Sequence, residues 1–347
     1  METKSRSISI ILIMLLLIGM LFVSIVTKRP VELESGYRLV MGTLARVVVV
    51  AKDAGTAQKC IEAAFAEIDN VDNLMSDYKD DSEIGIVNKN ATEHAVRVGE
   101  ATFEVLQRSV EFSRLTGGAF DITVGPLVDL FRAAKENHIA PSREQIDNAK
   151  TKVGYEKLIL DTNNRTVKFT VEGMRLDLGG IAKGYGIDKA IEAAKKSGAL
   201  GAMVDIGGDV RCFGIPAKGR DHWMVGLQDP NLPADMLSLD LVLTLRINDG
   251  AIATSGDYQQ FVIIDDKEYS HIIDRQTGTS SDGLSSVTII TDNATDADAL
   301  ATAVSVIGAK KGLSLIETLP ETEAILIPSG TKLEIIKTPG AEIYIQD

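Results

Sequence analysis

A chain of 347 residues, 45% apolar and 24% charged, has room for one large or two ordinary folded domains and excludes a disordered protein. Its net charge of −13 argues against a nucleic-acid or anionic-membrane surface, which needs clustered Lys and Arg. A local phosphate site built from backbone N–H groups and one cation remains open.

The chain starts METKSRSISIILIMLLLIGMLFVSIVTKRP, and residues 8–26 carry no charge. At ~1.5 Å per residue this run nearly matches the ~30 Å hydrocarbon core of a bilayer. It is longer than a signal-peptide core, Val23-Ser24-Ile25-Val26 is a poor cleavage site, and no cysteine follows it. The expectation is an uncleaved anchor over residues 1–30 with a single ectodomain, 31–347, outside the cytoplasmic membrane. Lys4 and Arg6 favour a cytoplasmic start, although Lys28 and Arg29 weaken the charge asymmetry. A cleaved form stays open.

Residues 37–51 read as one strand from their β-branched run. Residues 55–75 place Ala57, Cys60, Ile61, Ala64, Phe65, Ile68, Val71 and Leu74 on one helical stripe. Helices are expected again at 99–116 and 126–136, and strands at 157–160 and 166–171 flank the turn Asp161-Thr162-Asn163-Asn164. A helix at 182–197 follows, then strands near 202–205, 209–213, 222–227, 238–246 and 260–264. Helices at 296–307 and 309–318 lead to strands at 323–327, 332–336 and 342–345. Strands joined by short turns favour a mixed α+β fold, two-lobed and without a linker, over a doubly wound sheet. Cys60 and Cys212 are the only cysteines, with no zinc-like spacing, and read as buried thiols rather than a disulfide.

Five stretches hold residues suited to chemistry. LDLGGIAKGYGIDKA, 176–190, runs from an alternating segment through four glycines into a helix, but matches neither nucleotide-loop spacing. It serves either phosphate binding at a helix N-terminus, with Lys183 as the cation, or tight packing with Lys183 in solvent. In ATDADALATAVSVIG, Asp298 and Thr302 are i and i+4 on one helical face. They suit a hard ion such as Mg²⁺, or Thr295 and Asp298 form a capping box. SHIIDRQTG offers His271 as a general base or as a bonded strand-end residue. AIATSGDYQQF places Thr254, Ser255 and Asp257 at a turn, without the pattern of a serine hydrolase. GGAFDITVGPLVDLF gives a glycine-rich loop around Phe120 and Asp121.

Taken in order, these stretches, with YRLVMGTLARVVV, MSDYKDDSEIGIVN, VDIGGDVRCFG and HWMVGLQDP, resemble the ApbE family, the FAD:protein FMN transferases; together they span residues 37–308. The resemblance implies an enzyme that, with Mg²⁺, cleaves the FAD pyrophosphate. FMN passes to a Thr or Ser hydroxyl of an acceptor protein, a membrane redox subunit being one candidate, and AMP leaves. It implies metal ligation by the Ala182 carbonyl, Asp298 and Thr302, and flavin or adenine contacts from Met41, Tyr78, Ser82, Glu83, Phe120, Asp121, Lys183, Asp209, Thr254, Ser255 and Asp257. His271 becomes the base, with Lys183 assisting at the phosphates. FAD hydrolysis to FMN and AMP, or FAD binding without chemistry, are the alternatives. One departure stands out: Asp274 is followed by Arg275 where the family has proline, which adds a cation near the site.

Overall fold

The computed structural model describes residues 14, 29–217, 219–231, 241–256, 261–264, 267–270, 272–330 and 333–346. Apart from Met14, the expected membrane span at 8–26 lies outside them. No helix among the described residues is long and apolar enough to cross a membrane.

The stretch expected as one strand is a hairpin, Val31–Val40 (β1) and Thr43–Ala51 (β2). Val40 pairs directly with Thr43, so the turn is only Met41-Gly42, with φ of 47° and 74°. Positive φ at both turn residues matches the twist of the flanking strands. No Asn or Asp announces this turn, which is why periodicity alone runs the two strands together. Next come β3 (Gly201–Ile206) and β4 (Asp209–Phe213), joined by Gly207-Gly208 at φ 64° and 94°. They are followed by the hairpin β5 (Trp223–Gln228) and β6 (Leu241–Ile247), then β7 (Gly250–Gly256), β8 (Leu284–Thr291), β9 (Glu323–Pro328) and the short β10 (Ile336–Lys337). The main sheet has the order β1-β2-β3-β4-β7-β8-β9-β10, and every neighbouring pair is antiparallel.

Both faces of this sheet are covered, which explains the unbroken valines at 47–50. Val47 and Val49 join the core beneath the helices, whereas Val48 and Val50 join Trp223, Leu245 and Ile252 under the β5–β6 hairpin. The helices are α1 (Ala54–Met75), α2 (Glu83–Asn90), α3 (Glu100–Leu115), α4 (Gly125–Asn137), α5 (Arg143–Lys150), α6 (Ala182–Lys196), α7 (Ala294–Ile307) and α8 (Ala309–Ile316). The α1 stripe is buried as expected, Leu74 only partly. Cys60 and Cys212 are free buried thiols.

Several expectations are corrected. The helices α2 and α5 and strand β8 carry weak or short patterns and were not anticipated. Residues 342–345 fall mostly in a 3₁₀ helix, Pro339–Tyr344, rather than a strand, and the strand near 332–336 shrinks to β10. Residues 250–256 form an interior strand rather than a broken one. The run before the glycine loop is extended, with a single bridge at Arg175, and is not a strand.

Candidate active site

The site forms where the N-terminal turn of α6 meets α7. Leu176 and Leu178 are buried and anchor the approach, and Asp177 accepts from Gly179 N at 2.8 Å and pairs with Arg132 at 3.0 Å. The glycines then do two kinds of packing. A β-carbon on Gly180 would lie 2.8 Å from Thr302 Oγ1 and 3.3 Å from Phe120 Cε2. One on Gly184 would collide with the Ala294 carbonyl oxygen. Only bare backbone lets α6 lie this close to the start of α7.

Two carboxylates lock the crossing in opposite directions. Asp188 of α6 accepts from Ala294 N and Thr295 N, both at 2.9 Å, and from Thr295 Oγ1 at 2.5 Å. Its remaining partner is Arg211, at 2.7 Å. Asp298 of α7 reaches back and accepts from Gly184 N at 3.0 Å. The capping box expected from Thr295 and Asp298 is therefore absent: Asn293 caps α7 by accepting from Asp296 N, and Thr295 donates to Asp188 instead. Asp298 is left free for the α6 junction.

Lys183, expected either at phosphate or in solvent, is held between two acids. Its Nζ donates to Asp209 Oδ2 at 2.6 Å and to Asp298 Oδ1 at 3.1 Å, and both acid side chains are almost completely buried. Asp209 stands at the first position of β4, just after the Gly207-Gly208 turn, and is steadied by Thr254 N at 3.0 Å. Although burial opposes the charge, the two carboxylates push the Lys183 ammonium well above the usual lysine range. Burial, offset by Lys183 and reinforced by Asp209, raises the Asp298 carboxyl to about 6. One ammonium between two carboxylates leaves the junction with an excess negative charge in a low-dielectric place.

The donor set fits a hard cation. Ala182 is the first residue of α6, between Gly180, which abuts Thr302, and Gly184, which bonds Asp298. Ala182, Asp298 and Thr302 thus stand on the two helices that meet at this junction, and a carbonyl, a carboxylate and a hydroxyl are the oxygen donors that Mg²⁺ requires. Among the described residues no group of three His, Cys, Asp or Glu is placed to hold a metal.

The other expected residues divide. Phe120 is buried, edge-on to Phe112 at 6.1 Å, and touches the Gly180 turn. Met41 reaches α6, its sulfur 3.5 Å from where a Gly186 β-carbon would sit. Tyr78 is 77% exposed with the Arg132 guanidinium 4.3 Å from its ring centroid. Ser82, expected at the ligand, caps α2: its hydroxyl accepts from Gly85 N and donates to Ser76 O. Glu83 holds Gly99 N at 2.9 Å. Both oxygens of Asp121 are taken, by Thr123 N, Thr123 Oγ1, Tyr155 N and Arg275. Thr254 and Ser255 lie within β7 rather than at a turn, and Thr254 Oγ1 is bonded to Thr288 Oγ1 at 3.0 Å. Asp257 and His271 lie outside the described residues.

Sequence reasoning missed Asp188, although it stands inside the quoted glycine stretch, five residues beyond Lys183. It also missed the group of Arg132, Arg175 and Asp77 beneath Tyr78, where Arg132 and Arg175 share Asp77 Oδ2 at 2.7 and 3.0 Å. A cavity of about 290 Å³ opens one turn along α7 from Thr302, lined in part by Thr116, Ala119, Asp274, Gln276, Val306 and Lys311.

Comparison with known proteins places this geometry among relatives. A model of the ApbE family matches residues 41–326. The chain is 31% identical over 303 residues to the FAD:protein FMN transferase of Treponema pallidum, covering 83% of each. It is 32% identical over 268 residues to that of Haemophilus influenzae, covering 76% of each. Among solved structures, the ApbE protein of Thermotoga maritima matches with TM-score 0.82 and 32% identity, over 92% of this chain and 100% of that one. The flavin transferase ApbE from Vibrio cholerae matches with TM-score 0.78 and 26% identity, over 91% and 99%.

Proposed function

The chain belongs to the ApbE family, and from that premise we propose that it is an FAD:protein FMN transferase. It would act with Mg²⁺ on a Thr or Ser hydroxyl of an acceptor protein and release AMP. The observation that carries this reading is the α6–α7 junction, where buried Asp298 and Asp209 flank Lys183 and Gly180 brings the start of α6 against Thr302.

In this reading Asp298, Thr302 and the Ala182 carbonyl hold Mg²⁺, which when bound neutralises charge on the pyrophosphate oxygens. Lys183 is held protonated by its two acids, so it acts as a fixed positive charge at the phosphates and not as a base. The α6 N-terminus adds its dipole in the same sense. The acceptor hydroxyl oxygen bonds to the FMN-side phosphorus as the pyrophosphate bridge breaks, and the bridging oxygen leaves with AMP. His271 takes the hydroxyl proton. Such a displacement depends mainly on positioning and charge, which the glycine-packed helix crossing supplies. Phe120, Met41 and Tyr78 border the path of the flavin and adenine, Ser255 and Asp257 extend it, and the anchor at residues 8–26 keeps the enzyme on the outer side of the membrane.

The test is incubation of the full chain with FAD, Mg²⁺ and an acceptor domain, followed by mass spectrometry of the acceptor and chromatography of nucleotides. One added FMN per acceptor with equimolar AMP is expected. AMP and FMN with an unmodified acceptor would make the enzyme an FAD pyrophosphatase, and bound FAD without AMP would make it a flavin carrier. Protease protection of the domain in intact cells would refute the outward topology.

A further inference from the structure

We propose that Arg275 is a positioning residue for this transfer, holding the Phe120 loop against the Gly180 turn through a buried clamp on Asp121. The inference rests on the transferase reading and adds a residue outside the metal and phosphate groups.

Arg275 stands on the turn between two short paired strands, Ile273–Asp274 and Thr279–Ser280. The turn is fixed without the Arg275 side chain: Gln276 N donates to Asp274 Oδ1 at 2.8 Å, and Gly278 N to Asp274 O at 2.7 Å. The guanidinium is therefore available for work elsewhere. Its Nη1 donates to Asp121 Oδ2 at 2.8 Å and to Glu156 Oε2 at 3.1 Å, and the group lies 5.1 Å from the Tyr155 ring centroid. Asp121 is wholly buried in its side chain, whereas Glu156 is mostly in water. Gly118, at φ +84°, supplies the space: a β-carbon there would collide with the guanidinium.

The clamp is connected to the site by direct contacts. Asp121 follows Phe120, whose ring edge packs at the Gly180 turn, and Gly180 in turn abuts Thr302 Oγ1. The same turn contributes Asp274 and Gln276 to the cavity that Val306 lines one turn beyond Thr302. Arg275 thus ties the inner loop, through Asp121, to a turn that is already rigid, without itself reaching the α6–α7 junction. A loop displaced by about 1 Å costs about 100-fold in rate even when the fold survives.

Arg275→Met is expected to lower kcat/KM for FAD by about 100-fold while the KM for the acceptor stays within about twofold. Since one nitrogen serves both carboxylates, Arg275→Lys should recover most of the loss, to within about fivefold of the original chain. FAD affinity, read from quenching of flavin fluorescence, should follow the same order. If Arg275→Met leaves the original protein with a buried unpaired acid and fails to fold, Arg275→Met with Asp121→Asn removes both charges, and it should fold yet remain impaired. A folded variant of either kind with unchanged kcat/KM for FAD and unchanged FAD affinity overturns the clamp, as does equal impairment of the Met and Lys variants. These outcomes are separate from failure of the transferase reading, which would appear as no transfer by the unaltered chain.

Discussion

Asp188 and Asp298 sit on the two partners of one helix crossing, each buried and each accepting from the other helix's backbone, yet they answer different demands. Asp188 has three uncharged donors and one cation of its own, Arg211, so its charge is matched where it stands. Asp298 has one backbone donor and shares its cation with Asp209. The first is a closed lock. The second is a carboxylate left in electrostatic want, raised to about 6 by burial, and that want would suit it to the Mg²⁺ of the proposed reaction. Burial and residue type are the same in both; the count of partners separates structure from function.

Removing each acid in turn breaks the comparison if it is wrong. Asp298→Ala should lower FMN transfer by at least about 10³-fold, since the Mg²⁺ of the proposed reaction, which would neutralise phosphate charge, loses its carboxylate ligand. Its fold should lose only about 1–2 kcal/mol, because Lys183 keeps Asp209 and a single N–H is orphaned. Transfer assays in Mg²⁺ alongside urea unfolding read both. Full activity in that variant would refute the metal assignment.

Asp188→Ala should do the reverse. It orphans two backbone donors, a hydroxyl and the Arg211 charge, a loss of about 3–5 kcal/mol by the cost of breaking a buried, bonded ion pair. The protein that remains folded should transfer FMN within about threefold of the original rate per molecule, since the phosphate end of α6 is untouched. A stable but inactive Asp188→Ala protein would show that the two acids are not divided as described.

The same contrast explains what could be read from sequence. Asp298 and Thr302 declare themselves by an i, i+4 spacing on an apolar helix, and the glycines declare a close approach. Asp188 has no local signal, because the backbone and hydroxyl donors that it serves lie more than a hundred residues away at the start of α7. Long strongly periodic elements such as α1 and α6 were legible. The β1–β2 turn was not, because Met41 takes a left-handed conformation that its residue type does not advertise. Nor was β8, whose interior place in the sheet comes from its neighbours on both sides and not from alternation. Arg275 was legible as a cation near the site; its target, Asp121, was legible only as a candidate ligand, and the structure turns it into the anchor of a clamp.

The smallest effect separates two adjacent residues. Along β7, Ala251 and Ala253 face the core under the helices and Ile252 faces the β5–β6 layer, so strand alternation puts Ser255 on the helix side and Thr254 on the other. The Thr254 hydroxyl is occupied there by Thr288, and what Thr254 gives the site is its backbone N–H to Asp209, which any residue except proline supplies. Thr254→Val should therefore change the KM for FAD by less than about twofold and cost about 1 kcal/mol for the lost hydroxyl pair. Ser255→Ala, on the same sheet face as Asp209, should raise that KM about five- to tenfold, the loss of one hydrogen bond to a ligand. Steady-state kinetics over a range of FAD decides it. If the larger effect falls on Thr254, the face assignment of β7 fails, and with it the idea that Thr254 serves Asp209 through its backbone alone.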